Sequence, residues 1–585
     1  MLRSVSHSAL AAFALALLAF PTLAQTTTRV SVSSLGVQAN GHCDRPSISS
    51  NGQSVVFESS ATNLVAGDTN GATDIFLHDR VAGTTVRVSV DSSGTQATGS
   101  SSQPAISGNG RFVAFVSSAA NLVPADTNGL PDVFVRDTQA GTTVRASASG
   151  AGVQANGPSR SPSLSRDGRF LAFESDATSL VAGDTNGVSD IFLRDLVTGV
   201  VSRVSVDSFG NQGNSLSYDP RLSVNGDHVA FTSTATNLVT PDSNGAHDVF
   251  QHDRINGTTL RISTSTGGGY GSSDSYAGRS SETGQFVAFY SYASNLVLND
   301  TNSVFDVFLR NTTTAQTTRI SVSHAGAQAD NGSFAPLISE NGGVVVWQSY
   351  ASNILPPNLS PDWYWVNRTT GAMIRVGTGT GGTASTSTAS SMSLNSTGNI
   401  LAFSSAGTNL VPLDTNDVQD IFVSDIDDIA AGYCFGDGTA TACPCGNSSP
   451  IGSASGCMNS LGSAGRLDAT GMPSIANDTL ALLGSGMSNG PCLYFQGTGP
   501  FAAGLGTVLG DGLRCAAGTL IRLDIVANVG GASQYPQAGD PIVSVKGVCT
   551  PGSVRTYQVW YRDAQTFCTP DTYNLTNGIG LVWRP

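Results

Sequence analysis

The stretch Asp126-Thr-Asn-Gly-Leu-Pro-Asp132-Val-Phe decides the fold, because the chain repeats it. Versions of the heptapeptide Asp-Thr-Asn-Gly-x-x-Asp, most of them followed by Ile-Phe or Val-Phe, recur through the first 430 residues. Their closing aspartates follow a step of 58 residues, broken once by a step of 56: Asp74, Asp132, Asp190, Asp248, Asp306, Asp362 and Asp420. Self-similarity at a fixed step of this length indicates a repeat architecture, here with seven units.

Each unit contains four short apolar segments separated by turns. In the second unit the segments are Pro104–Ser107, Phe112–Phe115, Asp132–Asp137 and Thr142–Ala146. Asn109-Gly110 joins the first two, and this pair suits a tight hairpin because both residues tolerate positive φ. The segments do not alternate cleanly with polar residues, which is typical of strands buried on both faces. The pattern predicts an all-β protein built as a seven-bladed β-propeller.

The seventh unit lacks its fourth strand, since no Thr-Thr-x-Arg segment follows Asp420–Asp425. The missing segment stands at the other end of the chain, where Thr27–Val32 closely matches Thr84–Val90 of the first unit. We therefore predict that the N-terminal strand completes the last blade and closes the ring. Closure would pair a sheet edge that is otherwise open.

The segment Ser165-Arg-Asp-Gly-Arg-Phe-Leu-Ala-Phe173, with Pro162 before it, resembles the Pro-x-x-Ser-x-Asp-Gly-x-x-Ile-Ala-Phe repeat of TolB-like β-propellers. Asp190–Asp195 is similar to the Asp-Ile-Tyr-Val strand of that family. The resemblance spans residues 26–428 and implies the propeller fold. Such repeats also occur in peptidases, lyases and scaffolds, so the resemblance implies no single activity.

Composition divides the chain into three parts. Residues 1–24 have the features of a signal peptide: Arg3, the apolar stretch Leu10–Phe20 and a small-residue cleavage site at Thr22–Ala24. We predict the propeller over residues 25–430 and a cysteine-rich domain over residues 431–585. No later segment is apolar for long enough to span a bilayer. We expect a secreted, periplasmic or cell-surface protein without a membrane span.

Eight of the nine cysteines lie after residue 430, and the propeller holds only Cys43. In an exported module this density predicts four disulfides in a β-sandwich-like domain, with Cys43 left unpaired. A zinc site is the rival interpretation, but the spacings are irregular and the segment contains no histidine. The eight cysteines are Cys434, Cys443, Cys445, Cys457, Cys492, Cys515, Cys549 and Cys568.

The acidic loops are the first candidate site. Carboxylates at positions 1 and 7 and an amide at position 3 present oxygen atoms, which are the ligands that calcium prefers. The sequence therefore predicts Ca²⁺ at Asp68, Asn70, Asp74, Asp126, Asn128, Asp132, Asp184, Asn186, Asp190, Asp242, Asn244, Asp248, Asp300, Asn302, Asp306, Asp414, Asn416 and Asp420. The alternative is a structural loop, because Asp and Asn also form Asx-turns with their own backbone. A second pattern, Asp79 with Arg87 and its repeats, predicts cross-strand ion pairs.

Two classes of function remain. A net charge of −14 argues against a nucleic-acid partner. We favour a secreted binding or scaffold protein that uses the loop-rich face of the propeller for an extracellular protein or glycan. The alternative is an extracellular hydrolase or lyase that uses loop carboxylates as acid and base. Trp363-Tyr-Trp365 could stack on a sugar, although packing between blades is the simpler expectation.

Overall fold

The repeats fold into seven four-stranded antiparallel sheets, which confirms the seven-bladed β-propeller. Sheets of two to six strands follow it along the chain. The computed structural model describes residues 25–585 except 324–325, 356–360, 369–370, 379–384, 427–430, 438–440, 450–454, 471–472, 474, 476–477, 501–505, 551–552, 564–568, 570–571 and 584–585. The predicted signal peptide, residues 1–24, lies outside the described residues.

The first six blades are each formed by four strands that are consecutive in the chain. The chain begins with β1 (Gln25–Arg29), which belongs to the last blade. Blades one to three comprise β2 (Cys43–Ile48), β3 (Ser54–Ser59), β4 (Asp74–Asp79), β5 (Thr84–Arg87), β6 (Ser101–Ile106), β7 (Phe112–Ser117), β8 (Asp132–Asp137), β9 (Thr142–Arg145), β10 (Ser159–Leu164), β11 (Phe170–Ser175), β12 (Asp190–Asp195) and β13 (Val201–Arg203).

The last blade is completed by the N-terminal strand, as the sequence predicts. Strand β1 pairs antiparallel with the third strand of blade seven, with Thr28 opposite Val423. Blades four to seven comprise β14 (Ser217–Leu222), β15 (His228–Ser233), β16 (Asp248–Asp253), β17 (Thr258–Arg261), β18 (Ser275–Ser280), β19 (Phe286–Ser291), β20 (Asp306–Asn311), β21 (Gln316–Arg319), β22 (Ser333–Ile338), β23 (Val344–Ser349), β24 (Asp362–Asn367), β25 (Met373–Val376), β26 (Ser391–Leu394), β27 (Ile400–Ser405) and β28 (Asp420–Ile426).

The first strand of every blade lies innermost. Each first strand contacts the first strand of the next blade, and β26 contacts β2, so the seven strands surround the axis of the ring. Tight turns join the first strand to the second and the third to the fourth, on what we call the turn face. Longer loops join the second strand to the third and lead from each blade to the next, on what we call the loop face.

The turn face is tied together at the axis. The amide of Ser50 donates to the carbonyl of Gly108, and the amide of Ser396 donates to the carbonyl of Ser50, both at 3.0 Å. Equivalent bonds link the first turns of all seven blades. Glu340 spans the ring by accepting from Ser50 Oγ at 2.5 Å and by pairing with Arg166 of blade three. A ligand at the axis is therefore expected to enter from the loop face.

Aromatic pairs fill the core between neighbouring blades. Within blade two, the rings of Phe115 and Phe134 lie 5.8 Å apart, and five other blades repeat this phenylalanine pair. Blade six uses Trp347 and Tyr364 instead, 5.9 Å apart. The blades approach closely: Gly168 has a φ of +74°, and a Cβ there would collide with the Phe112 ring of the preceding blade. The repeated turn glycine is thus required by both conformation and packing.

The C-terminal region contains two main sheets that share one hydrophobic core, as expected for a β-sandwich. No described helix of the chain is long and apolar enough to cross a membrane. The elements are β29 (Ala431–Tyr433), a 3₁₀ turn (Pro444–Gly446), β30 (Arg466–Thr470), β31 (Ala481–Ser485), β32 (Gly490–Gly497), β33 (Gly499–Pro500), β34 (Thr507–Leu509), β35 (Gly512–Arg514), β36 (Ala516–Ala517), β37 (Ile521–Asn528), β38 (Ser533–Tyr535), α1 (Val543–Lys546), β39 (Val554–Arg562), β40 (Tyr573–Leu575) and β41 (Gly578–Val582).

The disulfide prediction is confirmed in part. The structure contains the bonds Cys434–Cys515 and Cys443–Cys457, and Cys43 is unpaired as predicted. The prediction is wrong for two cysteines, since Cys492 and Cys549 are free thiols. Cys549 contacts Gln496, which lies four residues along β32 from Cys492 and so about 13 Å away. The Cys445 side chain and Cys568 lie outside the described residues.

Candidate functional site

In each acidic loop, an arginine lies against the two aspartates. In blade two, Arg145 Nη1 lies 3.5 Å from Asp126 Oδ1 and 3.8 Å from Asp132 Oδ2. Gln154 Nε2 donates to the same two oxygens at 2.7 and 2.9 Å. The other oxygen of Asp132 accepts from Ser147 Oγ at 2.5 Å. We call this arrangement the arginine clamp.

All seven blades contain the arginine of the clamp, although its other members vary. In blade four Tyr270 replaces the glutamine and packs against Arg261 at 4.4 Å. In blade six only one aspartate remains. The arginines and their aspartates, with N–O distances of 2.6 to 3.8 Å, are Arg87 with Asp68 and Asp74, Arg145 with Asp126 and Asp132, Arg203 with Asp184 and Asp190, Arg261 with Asp242 and Asp248, Arg319 with Asp300 and Asp306, Arg375 with Asp362, and Arg29 with Asp414 and Asp420.

The asparagine at position 3 forms an Asx-turn. Asn128 Oδ1 accepts from the amide of Leu130 at 2.9 Å, and its Nδ2 donates to the carbonyl of Ala155 at 3.0 Å. The amide oxygen that the calcium prediction assigned to the metal is therefore bonded to the loop itself. The same bond to the backbone is made by Asn70, Asn186, Asn244, Asn302 and Asn416.

Calcium binding by these loops stays a prediction, and the arginine of the clamp would have to move to allow it. A guanidinium already lies between the carboxylates, so a dication would have to displace it against charge repulsion. Among the described residues, no group of three or more His, Cys, Asp or Glu side chains is placed to hold a metal ion. Burial raises the pKa of the Asp132 carboxyl, while the bonds from Ser147 and Gln154 and the charge of Arg145 act in the opposite direction.

The predicted ion pair between Asp79 and Arg87 is wrong. Strand pairing places Asp79 opposite Thr84 and Arg87 opposite Phe76, at the loop end of the hairpin. Asp79 instead accepts the amides of Val81 and Ala82 and so caps the turn. The arginine pattern that the sequence shows therefore belongs to the acidic loops.

A cluster of aromatic side chains in blades four to six is the second candidate site, and we call it the aromatic patch. Ring centroids of neighbouring members lie 5.2 to 6.0 Å apart. Tyr292 and Tyr350 are each 45% exposed, and the other members are half-buried. The members are Tyr218, His247, Tyr276, Tyr290, Tyr292, Phe305, Phe334 and Tyr350.

Four positions of the repeat produce the patch. They lie at the start of the first strand, at and just after the end of the second strand, and just before the third strand, all on the loop face. Blade five has an aromatic residue at each: Tyr276, Tyr290, Tyr292 and Phe305. Because the first strands surround the axis, the patch lies beside the mouth of the ring.

Blades one and three carry charges at the same positions. In blade three, Arg160 replaces the tyrosine of the first strand and pairs with Glu174 at 2.6 Å and with Asp176 at 2.8 Å. In blade one, Glu58 pairs with Arg45 at 3.3 Å. One side of the axis on the loop face is therefore charged and internally paired, whereas the other side is aromatic.

The hydroxyls of Tyr218, Tyr276 and Tyr290 stay protonated at neutral pH. Burial raises the pKa of Tyr290 to about 12 and also raises the pKa values of Tyr218 and Tyr276. The Tyr218 hydroxyl bonds to His247 Nδ1 at 3.0 Å, which fixes the two rings relative to each other. The patch thus combines exposed ring faces with hydroxyl groups that can donate hydrogen bonds.

The aromatic run of blade six is buried, in agreement with the expectation that it packs between blades. Trp363, Tyr364 and Trp365 are 4%, 0% and 1% exposed, so they cannot stack on a sugar. Trp363 Nε1 donates to the carbonyl of Ala389 at 2.8 Å, and Trp365 Nε1 donates to that of Gly398 at 2.6 Å. Sequence reasoning missed most of the aromatic patch, although aligning the units at steps of 58 residues would have shown it.

A cavity of about 250 Å³ lies beside Asp362 in blade six. This blade lacks the first aspartate of the loop, and the cavity is lined by Trp363, Val376 and residues 385–389. Burial raises the pKa of Asp362 to about 6, although Arg375 at 2.7 Å acts to lower it. Asp362 is thus a carboxylate whose surroundings differ from those of the other six closing aspartates.

Comparisons with known proteins found similarity to solved structures alone. No protein-family model and no curated protein matches the chain. Similar solved structures include a TolB protein from Agrobacterium tumefaciens, at 17% identity and a TM-score of 0.30, which covers 48% of this chain and 80% of that one. They also include an acylaminoacyl peptidase from Pyrococcus horikoshii, at 12% identity and a TM-score of 0.39; the match covers 62% of this chain and 49% of that one. A prolyl endopeptidase matches at 10% identity and a TM-score of 0.40, over 76% of this chain and 54% of that one. The chain spans about half the length of these peptidases.

Proposed function

We propose that the protein is a secreted binding protein whose aromatic patch recognises an extracellular glycan. The observation that carries the proposal is the location of the patch: eight neighbouring rings replace the charged and small residues of the repeat on one side of the axis. Repeated blades need no such difference for stability, because blades one to three fold without it. Contiguous exposed apolar surface is typical of binding sites.

Ring faces suit a glycan. The C–H faces of a pyranose ring are apolar and flat enough to pack on aromatic rings, while its hydroxyl groups need hydrogen-bond partners. Tyr292 and Tyr350 offer partly exposed rings, and tyrosine combines an apolar face with a polar tip. The disulfides Cys434–Cys515 and Cys443–Cys457 support an oxidising, extracellular or periplasmic location, in which glycans are available ligands.

A glycan array tests the proposal. The variant Tyr292→Ser/Tyr350→Ala removes the two exposed rings by restoring residues that other blades carry, Ser118 and Ala406, so folding should be kept. We expect the native protein to bind a defined subset of glycans and this variant to lose that signal. Tyr270→Gln, which restores the repeat residue outside the patch, is the control and should bind as the native protein does. A native protein that binds no glycan on the array would overturn the proposal.

The alternative, an extracellular hydrolase or lyase, has one supporting observation. Asp362 departs from the repeat, faces a cavity and has a pKa raised to about 6, which suits an acid or base at neutral pH. Assays of Asp362→Asn and native protein on the glycans that bind test it. Turnover by the native protein that this substitution abolishes, with binding retained, would favour the enzyme.

A further inference from the structure

Two arginines of the inner strands depart from the repeat in the same blades that carry the patch. Position five of the first strand holds Arg221 in blade four and Arg279 in blade five. The other blades hold Ser47, Ala105, Ser163, Leu337 and Ser393 at this position. Tyr218 and Tyr276 lie on the same two strands. The aromatic and the basic residues that differ from the other blades are therefore found on the same strands.

Arg279 has no partner of its own. Arg221 Nη2 pairs with Asp219 Oδ1 at 2.7 Å. Within the described part of the chain, the half-buried Arg279 makes no hydrogen bond and no ion pair. Burial and the charge of Arg221 lower its pKa to about 10, with Asp219 and Glu340 near enough to oppose this, so it stays charged at neutral pH. A half-buried guanidinium without an ion pair keeps its N–H donors available, and an anion would both accept from them and balance the charge.

The aromatic patch lies on the path to Arg279. Arg279 follows Tyr276 by three residues on the innermost strand of blade five, across an irregularity in the strand register, and lies nearer the turn face than Tyr276 does. The turn face is tied together by the first turns, and Glu340 there already pairs with Arg166. An anion would therefore reach Arg279 from the loop face, past the rings of Tyr218 and Tyr276.

We propose that Arg279, with Arg221, is a receptor for the carboxylate of an acidic sugar, a uronic acid whose ring packs on the aromatic patch. Asp219 pairs with Arg221 and Glu340 pairs with Arg166, so Arg279 adds one positive charge without an ion pair of its own, which a monoanion would match. The planar guanidinium can bind a carboxylate with two parallel hydrogen bonds. This inference rests on the proposed glycan function and names the ligand class.

Two matched probes test the inference: methyl glucuronide and methyl glucoside, which differ only at C6. Dissociation constants from ligand-observed NMR should favour the acid about tenfold in the native protein, as a charge-assisted bond allows. Arg279→Leu should remove the preference and leave glucoside affinity unchanged, and Leu337 of blade six shows that leucine fits this position. Arg279→Lys should keep part of the preference. Equal affinities in the native protein, or a preference that survives Arg279→Leu, would overturn the inference.

A second measurement separates this inference from the proposed function. Sodium acetate should raise the melting temperature of the native protein above its value in sodium chloride of equal ionic strength, and it should not do so in Arg279→Leu. If neither glycoside binds but acetate acts through Arg279, the glycan function fails while the carboxylate receptor stands. An equal effect of acetate on both proteins would overturn the receptor. Binding of an acetylated tripeptide acid, but not of its amide or of the glucuronide, would overturn the sugar assignment.

Discussion

In each acidic loop, one arginine carries the positive charge that two buried carboxylates require. Asp132 is fully buried, and Arg145 is the cation nearest to it in the clamp. In blade two, Ser147 and Gln154 donate to the aspartates, whereas Nε and Nη1 of Arg145 are buried and make no hydrogen bond to any described residue. The clamp is therefore a buried ion-pair network held mainly by charge. Removing one partner from such a network leaves an uncompensated buried charge, which typically costs 3–5 kcal/mol.

Arg145→Gln should therefore destabilise the propeller. Because Ser147 and Gln154 still donate to the aspartates, we expect a loss of roughly 3 kcal/mol in the free energy of unfolding, at the lower end of that range. Chemical denaturation checks this value. The control is Arg111→Gln, which removes an arginine paired with Asp137 near the surface and should cost far less stability, because ion pairs near the surface contribute little. A loss for Arg145→Gln no greater than that of the control would contradict the clamp.

Calcium should matter less than the arginine. At about ten times its dissociation constant, a calcium ion would add on the order of 1.4 kcal/mol per site. Because Arg145 occupies the space between the carboxylates, the rise in melting temperature of the native protein with calcium over chelator should be smaller than the fall caused by Arg145→Gln. A larger calcium effect that Asp126→Ala reduces would place the metal in the loops, as the sequence predicts.

The repeated spacing of aspartate and arginine led to a wrong prediction of the ion pairs. The spacing of Asp79 and Arg87 looks like a cross-strand pair, but a four-residue turn places Arg87 opposite Phe76. Counting the hairpin register would have corrected this. The contact of Arg87 with Asp68 could not be counted in the same way, because it joins the fourth strand to a loop that precedes the third.

The N-terminal strand carries both backbone pairing and one clamp. Residues Gln25–Arg29 pair with β28, Arg29 contacts Asp414 and Asp420, and Ser31 Oγ donates to Asp420 at 2.5 Å. Its removal would open a sheet edge and leave two aspartates without their cation.

Deleting residues 25–33 should therefore lower the melting temperature by more than Arg145→Gln does, or cause aggregation. Differential scanning calorimetry and size-exclusion chromatography check this. Arg29→Gln alone should have a smaller effect, because the strand pairing remains. A deletion variant that melts like the native protein would show that the strand does not hold the ring closed.

The structure predicts which cysteines are linked and which can be alkylated. Mapping without reduction should find the linked pairs Cys434–Cys515 and Cys443–Cys457. After denaturation, Cys43, Cys492 and Cys549 should be alkylated. Native protein should protect Cys43, which is fully buried and whose pKa is raised to about 12 mainly by burial. A disulfide between Cys492 and Cys549 would contradict the placement of β32 against Cys549.

The architecture of the molecule was predictable because every unit repeats the same sequence pattern. Closing aspartates, turn glycines and a displaced N-terminal strand specify seven blades and their closure before any packing is known. The aromatic patch was not predictable in the same way. Tyr276, Tyr292 and Phe305 are separated in sequence and meet only because each lies at the loop-face end of a different strand or loop. The arginine clamps and the patch are thus properties of the assembled ring.

Hydroxyl-radical footprinting of the protein, with and without a glycan selected on the array, tests the central claim most directly. The aromatic patch predicts that oxidation of Tyr292 and Tyr350 falls by more than half when the glycan is bound. Phe209, which is 91% exposed on a loop of blade three, is the internal control and should keep its rate. Unchanged oxidation of both tyrosines, with protection elsewhere on the chain, would contradict the account.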